Sequence, residues 1–253
     1  MTQRVLITAG ASGIGRAIAQ SVLDAGAAVH VGDIDAPALA GLREREPRIG
    51  TSLCDVADAA AVQRMVAEAG QALGGLDVLV NNAGIAGPAA PVESLDPAAW
   101  DSVLRVNLTG TFLVTQAAIP LLRRSGAASV IVMSSLAGRF GYPNRSPYST
   151  TKWGLIGFTK TLSRELGPDG IRVNAILPGA VEGPRLQQVF AGRASLSGRS
   201  AAHEAAAALA NQSIKRFVDP ADIGALAVFL ASPAGRSISG QILPIDGDSQ
   251  SAS

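Results

Sequence analysis

Only one cysteine, Cys54, occurs in the 253 residues, so no disulfide can close within the chain and a reducing compartment suits it. It lies in an apolar, strand-like run, where an inert core thiol is expected. Aromatic residues are scarce at 4%, so the core must be aliphatic and alanine-rich. Neither sign of charge is in excess. A formal net charge of +1 removes the electrostatic case for nucleic acid or an anionic membrane. The longest apolar runs, such as residues 223–231, are too short to span a bilayer. Residues 1–4 lead straight into the apolar residues 5–8, leaving no room for a signal peptide. A cytoplasmic protein is expected, without nucleic-acid or membrane partners. No His, Cys or acid cluster has metal-ligand spacing, so no metal is expected.

What is present is an alternation. Short β-branched runs at residues 5–8, 28–32, 50–54, 78–81, 129–134, 172–177 and 241–245 read as seven strands. Alanine-rich helical stretches separate them, at 13–25, from the Asp58 cap to about 73, at 101–124 and at 148–166. Strands rich in Val, Ile and Leu with helices between them imply an α/β protein with a parallel sheet covered on both faces. No repeat or interdomain linker is visible, so residues 1–253 are expected to form a single domain. Residues 183–217 break the rhythm, with a helical core at 201–210. An insertion at the carboxyl end of a strand is where a substrate lid would hang.

The run Thr8-Ala9-Gly10-Ala11-Ser12-Gly13-Ile14-Gly15 follows the first strand and opens the first helix. Glycines there let the backbone approach a pyrophosphate, and the helix N-terminus supplies free N–H groups. This predicts a Rossmann-type, doubly wound dinucleotide site. Asp33 closes the second strand, eighteen residues after Gly15, where a carboxylate accepts from the adenosine ribose hydroxyls and repels a 2′-phosphate. NAD is therefore expected over NADP. Asp35 reads as a plain surface acid. Tyr148 and Lys152 are four residues apart and share one helix face. A free phenol has a pKa of about 10, and a neighbouring cation favours its ionised form. Such a pair makes a proton donor and acceptor.

With both ends in view, the chain resembles the short-chain dehydrogenase/reductase family over nearly its whole length. Asn81-Asn82-Ala83-Gly84 is similar to the family motif that supports the sheet beside the cofactor, and Cys54-Asp55-Val56 matches the segment whose acid contacts adenine. Asn107 matches the family's catalytic Asn, and Ser135 stands thirteen residues before Tyr148, the spacing of its catalytic Ser. Pro178-Gly179 matches the turn that lines the nicotinamide.

The resemblance implies a cofactor set of Gly10, Ser12, Gly13, Ile14, Gly15, Asp33, Ile34, Asp55, Val56, Asn82, Ala83, Gly84, Tyr148, Lys152, Pro178, Gly179 and Val181. It implies hydride transfer between nicotinamide and a substrate carbon. Tyr148 would be the acid/base, Lys152 would stabilise the phenolate and bind ribose, and Ser135 would hold the substrate oxygen. Asn107 would anchor a water linking Lys152 to solvent. Ser134 competes with Ser135, and strand alternation points only one of them into the site.

Three positions depart from the family pattern. Ala9 stands where the first glycine is usual, Gly183 where a Thr often meets the carboxamide, and Asp248 where a second glycine is common. The contact that Thr makes would fall to backbone such as that of Val181.

The implied activity is an NAD-dependent interconversion of secondary alcohol and ketone. An NADPH-linked 3-oxoacyl reductase and a non-catalytic NAD-binding module are the alternatives. The family also implies a homotetramer or homodimer built on the long helices after Asp101 and Tyr148. Trp153 is expected to pack, and His203 to be solvated. Arg185, Arg193, Arg199, Lys215 and Arg216 in the lid, with Arg139 and Arg145 beside the catalytic loop, leave two readings open. They could meet an anionic group on the substrate, or form a solvated or subunit-facing surface, which is the more ordinary outcome.

Overall fold

The computed structural model describes residues 2–252. Its strands are β1 (Arg4–Thr8), β2 (Ala28–Asp33), β3 (Gly50–Leu53), β4 (Val78–Asn81), β5 (Ser129–Met133), β6 (Arg172–Pro178) and β7 (Ile242–Ile245). They form one sheet in the order β3-β2-β1-β4-β5-β6-β7, and every neighbouring pair is parallel. The helices are α1 (Gly13–Asp24), α2 (Ala36–Arg45), α3 (Ala59–Leu73), α4 (Pro97–Leu104), α5 (Gly110–Leu122), α6 (Ser146–Glu165), α7 (Pro184–Ser197), α8 (Ala201–Ala210) and α9 (Pro220–Ala231).

Successive strand residues face opposite sides of a sheet, so an all-apolar strand needs cover on both. Val5 and Ile7 pack with Ile18, Val22, Ile223 and Leu230 on one side. Leu6, between them, packs with Val62, Met65, Val114 and Leu162 on the other. The chain runs outward from β1 to β3, then returns to β4 on the other side of β1. Connections diverge there, which opens a crevice at the carboxyl ends of β1 and β4. Thr8 fastens that point: its Oγ1 accepts the amides of Asn82 and Ala83, both at 3.0 Å.

All seven expected strands are present, with no end shifted by more than one residue. The helix expected over 101–124 is not continuous. A π-helical turn, Arg105–Thr109, separates α4 from α5. Asn107 sits in it, fully buried, with its side-chain amide bound to the backbone of Ile85, and this tertiary bond overrides the regular spiral.

Helices α2, α7 and α9 went unpredicted. In α2 the mixed Ala, Gly and charged residues blur the period, but the start was marked. Asp35 caps it, accepting from Ala38 N–H at 2.9 Å, with proline in the first turn, so it is more than a surface acid. Trp153 is 51% exposed rather than packed within the chain. Among the described residues no helix is long and apolar enough to cross a membrane.

Helix α9 lies against α1 at Gly224. A Cβ there would overlap Ser21 Oγ and come within 3.1 Å of the Ala17 carbonyl oxygen. Gly224→Ala should therefore lower the unfolding free energy by about 1–3 kcal/mol despite its gain in helix propensity. Adding Ser21→Gly should recover part of the loss in urea denaturation.

Candidate active site

The turn between β1 and α1 is braced from below. Asn82 Nδ2 donates to the carbonyls of Thr8 (3.1 Å) and Ala9 (2.9 Å). A Cβ on Gly15 would overlap the Ala9 oxygen, and one on Gly10 would lie 2.9 Å from both Val31 methyls, so both positions require glycine. Gly13 has φ 51°, and Ala9 has φ 50°, a left-handed value that a glycine would carry more easily. Ala9 thus adopts the left-handed backbone of a glycine without being one.

Ser12 occupies the N-cap of α1 without making a side-chain cap, whereas aspartates cap α2, α3, α4 and α9. The first amides of α1 are left for an anion such as a diphosphate. Ile14 packs partly onto the core beneath. Asp33 sits beside this turn, 8% exposed, and accepts from Ala11 N–H at 3.0 Å and Asp35 N–H at 3.1 Å. Ile34 next to it is 66% exposed. Asp55 accepts from Ala57 N–H at 2.9 Å, and Val56 is buried. These residues have the donors, the carboxylate and the bare backbone that a dinucleotide needs.

At the carboxyl end of β5 the two serines divide as strand alternation requires. Ser134 is buried and donates to the Lys152 carbonyl at 2.8 Å. Ser135 is half-buried, and its Oγ accepts from Ala137 N–H at 3.2 Å, capping a short 3-10 turn, Leu136–Gly138. Ser149 Oγ donates to Ala137 O at 2.8 Å, so this turn is fastened to the first turn of α6, next to Tyr148. Lys152 is 4% exposed and donates from Nζ to Met133 O at 2.8 Å. Its ammonium lies 5.5 Å from the Tyr148 ring centroid. Burial, with a smaller contribution from the Arg185 charge, pushes the Lys152 ammonium down to about 7.

Gly84 faces both catalytic candidates. A Cβ there would be 3.2 Å from Asn107 Oδ1 and 3.5 Å from Lys152 Nζ. Asn107 Oδ1 accepts from Ile85 N–H at 2.8 Å, and its Nδ2 donates to Ile85 O at 2.9 Å and Thr151 Oγ1 at 3.1 Å. Asn107, Tyr148, Lys152 and the Ser135 turn are thus brought together. At the end of β6, Gly179 has its amide bound to Ile245 O at 3.0 Å and leaves no room for a Cβ beside Asp246. Val181 bridges Val218 through the flanking Ala180 carbonyl and Glu182 amide. Its own amide and carbonyl therefore point to the opposite side.

Sequence reading missed three contributors. Thr8 and Thr151 orient Asn82, Ala83 and Asn107, and an ordinary threonine carries no signal of that. Tyr142 is flanked by two guanidiniums, Arg145 and Arg193, whose carbons lie 5.9 and 5.2 Å from its ring centroid. Its scarcity was a clue, since the chain has only two tyrosines. Cys54 is buried and its thiol is pushed up to about 11 by burial, so it is inert.

A parallel sheet split beside a glycine turn, with a Ser, Tyr and Lys at the carboxyl end of the next strand, β5, defines a dinucleotide-dependent oxidoreductase site. Residues 8–247 match a family model described as enoyl-(acyl carrier protein) reductase. The D-beta-hydroxybutyrate dehydrogenase of Cupriavidus necator is 37% identical over 250 residues, covering 96% of this chain and 95% of that one. A 3-oxoacyl-(acyl-carrier-protein) reductase of Thermotoga maritima is 36% identical over 246 residues, covering 96% of this chain and 95% of that one. The crystal structure of NAD+-bound xylitol dehydrogenase superposes with a TM-score of 0.92 at 29% identity, covering 97% of this chain and 98% of that one. The chain belongs to the short-chain dehydrogenase/reductase family and is an oxidoreductase acting on CH–OH groups.

Because Arg185 helps to depress the Lys152 titration, Arg185→Ala should move it to higher pH in a lysine NMR titration, with Lys152→Met giving the assignment. The linkage sign follows. The folded value of about 7 lies below the unfolded 10.5, so the unfolded chain binds more protons between them and stability rises with pH in that window. Urea unfolding at pH 7 and pH 9 should show a rise attributable to Lys152 that Lys152→Met lacks. An equal rise in the variant would refute this account.

Proposed function

We propose that the chain is an NAD-dependent secondary-alcohol dehydrogenase and ketone reductase. The observation that carries this reading is the gathering of the Ser135 turn, Tyr148 and Lys152 after β5, at the same carboxyl edge of the parallel sheet where Asp33 ends β2. Asp33 stands at the end of β2, where the adenosine ribose would lie, and the turn carries no cation that could receive a 2′-phosphate. Asp33 favours NAD, and the same feature weighs against the NADPH-linked 3-oxoacyl reduction that one relative's name suggests. Gly10, Ser12, Gly13, Ile14 and Gly15 would hold the diphosphate, Ile34, Asp55 and Val56 the adenine, and Asn82, Ala83, Gly84, Pro178, Gly179 and Val181 the nicotinamide side.

Bound nicotinamide supplies the hydride acceptor or donor. Ser135 Oγ hydrogen-bonds the substrate oxygen and holds it within reach of Tyr148. In oxidation the Tyr148 oxygen takes the hydroxyl proton, and in reduction it returns one to the developing alkoxide. Lys152 Nζ, fixed by Met133 O, stands beside the phenol and would bind the ribose hydroxyls of the cofactor. Asn107 supports the water through which that proton leaves. Residues 183–217 act as the lid over this site, with α7 and α8 packed on each other through Leu186, Phe190 and Ala208.

The same reading gives a cytoplasmic homotetramer or homodimer assembled through α5 and α6. On those helices Phe112 and Trp153 are 46% and 51% exposed.

Tyr148→Phe should lower kcat for alcohol oxidation by about 10²–10⁴-fold with NAD binding retained. Near-wild-type turnover would overturn the mechanism. With the wild type, kcat/KM should favour NAD over NADP, and Asp33→Ala should narrow that gap by about ten-fold or more. A preference for NADP in the wild type would sink the cofactor assignment.

A further inference from the structure

The structure divides the seven cations of the lid and catalytic loop. Arg139 lies 3.9 Å from Asp246, and Arg216 lies 3.7 Å from Asp222. Lys215 donates to the carbonyls of Ala210 and Gln212, and Arg199 meets His203 on the exposed surface. Arg145, Arg185 and Arg193 are left. None of these three enters an ion pair among the described residues. Arg185 donates to Gly84 O at 3.3 Å, at the Lys152 end of the site.

The other two sit together. Arg145 precedes Tyr148 by three residues, is only 7% exposed, and donates from Nη1 to Gly87 O at 3.0 Å. Arg193 comes from the lid helix α7 and donates from Nη2 to the Tyr142 hydroxyl at 2.5 Å. Its Nε is buried without a partner. Both guanidinium carbons lie within 6 Å of the same Tyr142 ring. A guanidinium cannot shed its proton to escape burial. Two of them around one ring, with no carboxylate between, leave a deficit of negative charge that a bound anion would fill.

We propose that Arg145 and Arg193, spaced by Tyr142, form an anion subsite of the alcohol pocket, and that the substrate is a hydroxy acid. Its carboxylate binds the two guanidiniums while its carbinol carbon lies at Tyr148 and Ser135. This rests on the dehydrogenase reading above. Because Arg193 belongs to α7 and Arg145 to the catalytic loop, the carboxylate also ties the lid to the site floor. Recognition and closure become one event.

The test is NAD reduction by the full-length protein with matched sets: short hydroxy acids, their primary amides, and sulfonate analogues. The best acid should exceed its amide in kcat/KM by about ten-fold or more, the effect of one charge-assisted hydrogen bond. Arg193→Gln should reduce that ratio about ten-fold or more, mainly through KM, and Arg193→Lys should retain part of it. A purely packing role for Arg193 would lower both rates together and leave the ratio intact, which overturns the proposal. Amides equal to acids overturn it too, as does a sulfonate preferred over the carboxylate. In each of those outcomes the dehydrogenase itself stands. If NAD binds and no alcohol of any set is oxidised, the dehydrogenase reading falls and the subsite with it.

Discussion

A lysine ammonium held in the protein interior organises the rest of this molecule. Lys152 Nζ has one protein partner, the Met133 carbonyl at the end of β5, and almost no solvent. Burial works against its charge, and the nearby Arg185 adds to that. To keep such a group in place the surroundings must be rigid. Ser134 bonds the Lys152 carbonyl, Ser149 ties the next turn to α6, and Asn107 closes the far side through Ile85 and Thr151. The π-helical turn between α4 and α5 is part of the same arrangement, since it delivers Asn107 to Ile85. The Lys152 ammonium is thereby held beside the Tyr148 phenol with its charged form disfavoured by burial.

The nucleotide end is built by a separate set of bonds that meet the first at Gly84. Thr8 and Asn82 stitch β1 to the segment after β4, across the point where the sheet order reverses. The glycine turn is thereby fixed in position before any ligand arrives. Ala9 tolerates a left-handed backbone there because Asn82 holds its carbonyl. Asp33 is fixed likewise by two amides, one of them from the turn itself. The acid that would select the cofactor is therefore positioned by the loop that would bind its diphosphate. One rigid frame serves both halves of the cleft.

Much of this was legible in the chain. The seven strands stood out because a doubly covered parallel sheet writes each strand as an uninterrupted aliphatic run. Asp33 and the Tyr148–Lys152 pair were legible from strand and helix geometry, and Ser135 from the family's spacing to Tyr148. Alternation guaranteed that only one of Ser134 and Ser135 could face the site and the family spacing selected Ser135, but the bond from Ser134 to the Lys152 carbonyl had no mark in the chain. Helix α2 was hidden by weak periodicity, and α9 looked like a bare apolar run because its exposed face also carries apolar residues, Phe229 among them. Trp153 was misread as packed: a large apolar side chain carries no mark of whether its own chain or another surface will cover it.

The order and type of the elements, the glycine turn, Asp33 and the Tyr148–Lys152 pair follow from local rules, in which period, spacing and turn chemistry act over a few residues. Tertiary structure alone decided which cations found partners. Seven looked alike in the sequence, and folding neutralised or exposed four while leaving Arg145 and Arg193 around one tyrosine and Arg185 beside Lys152. Charge pairing depends on where distant segments come to rest. No spacing along the chain records it, because the carboxylates that answered Arg139 and Arg216 are far along the chain or in another element.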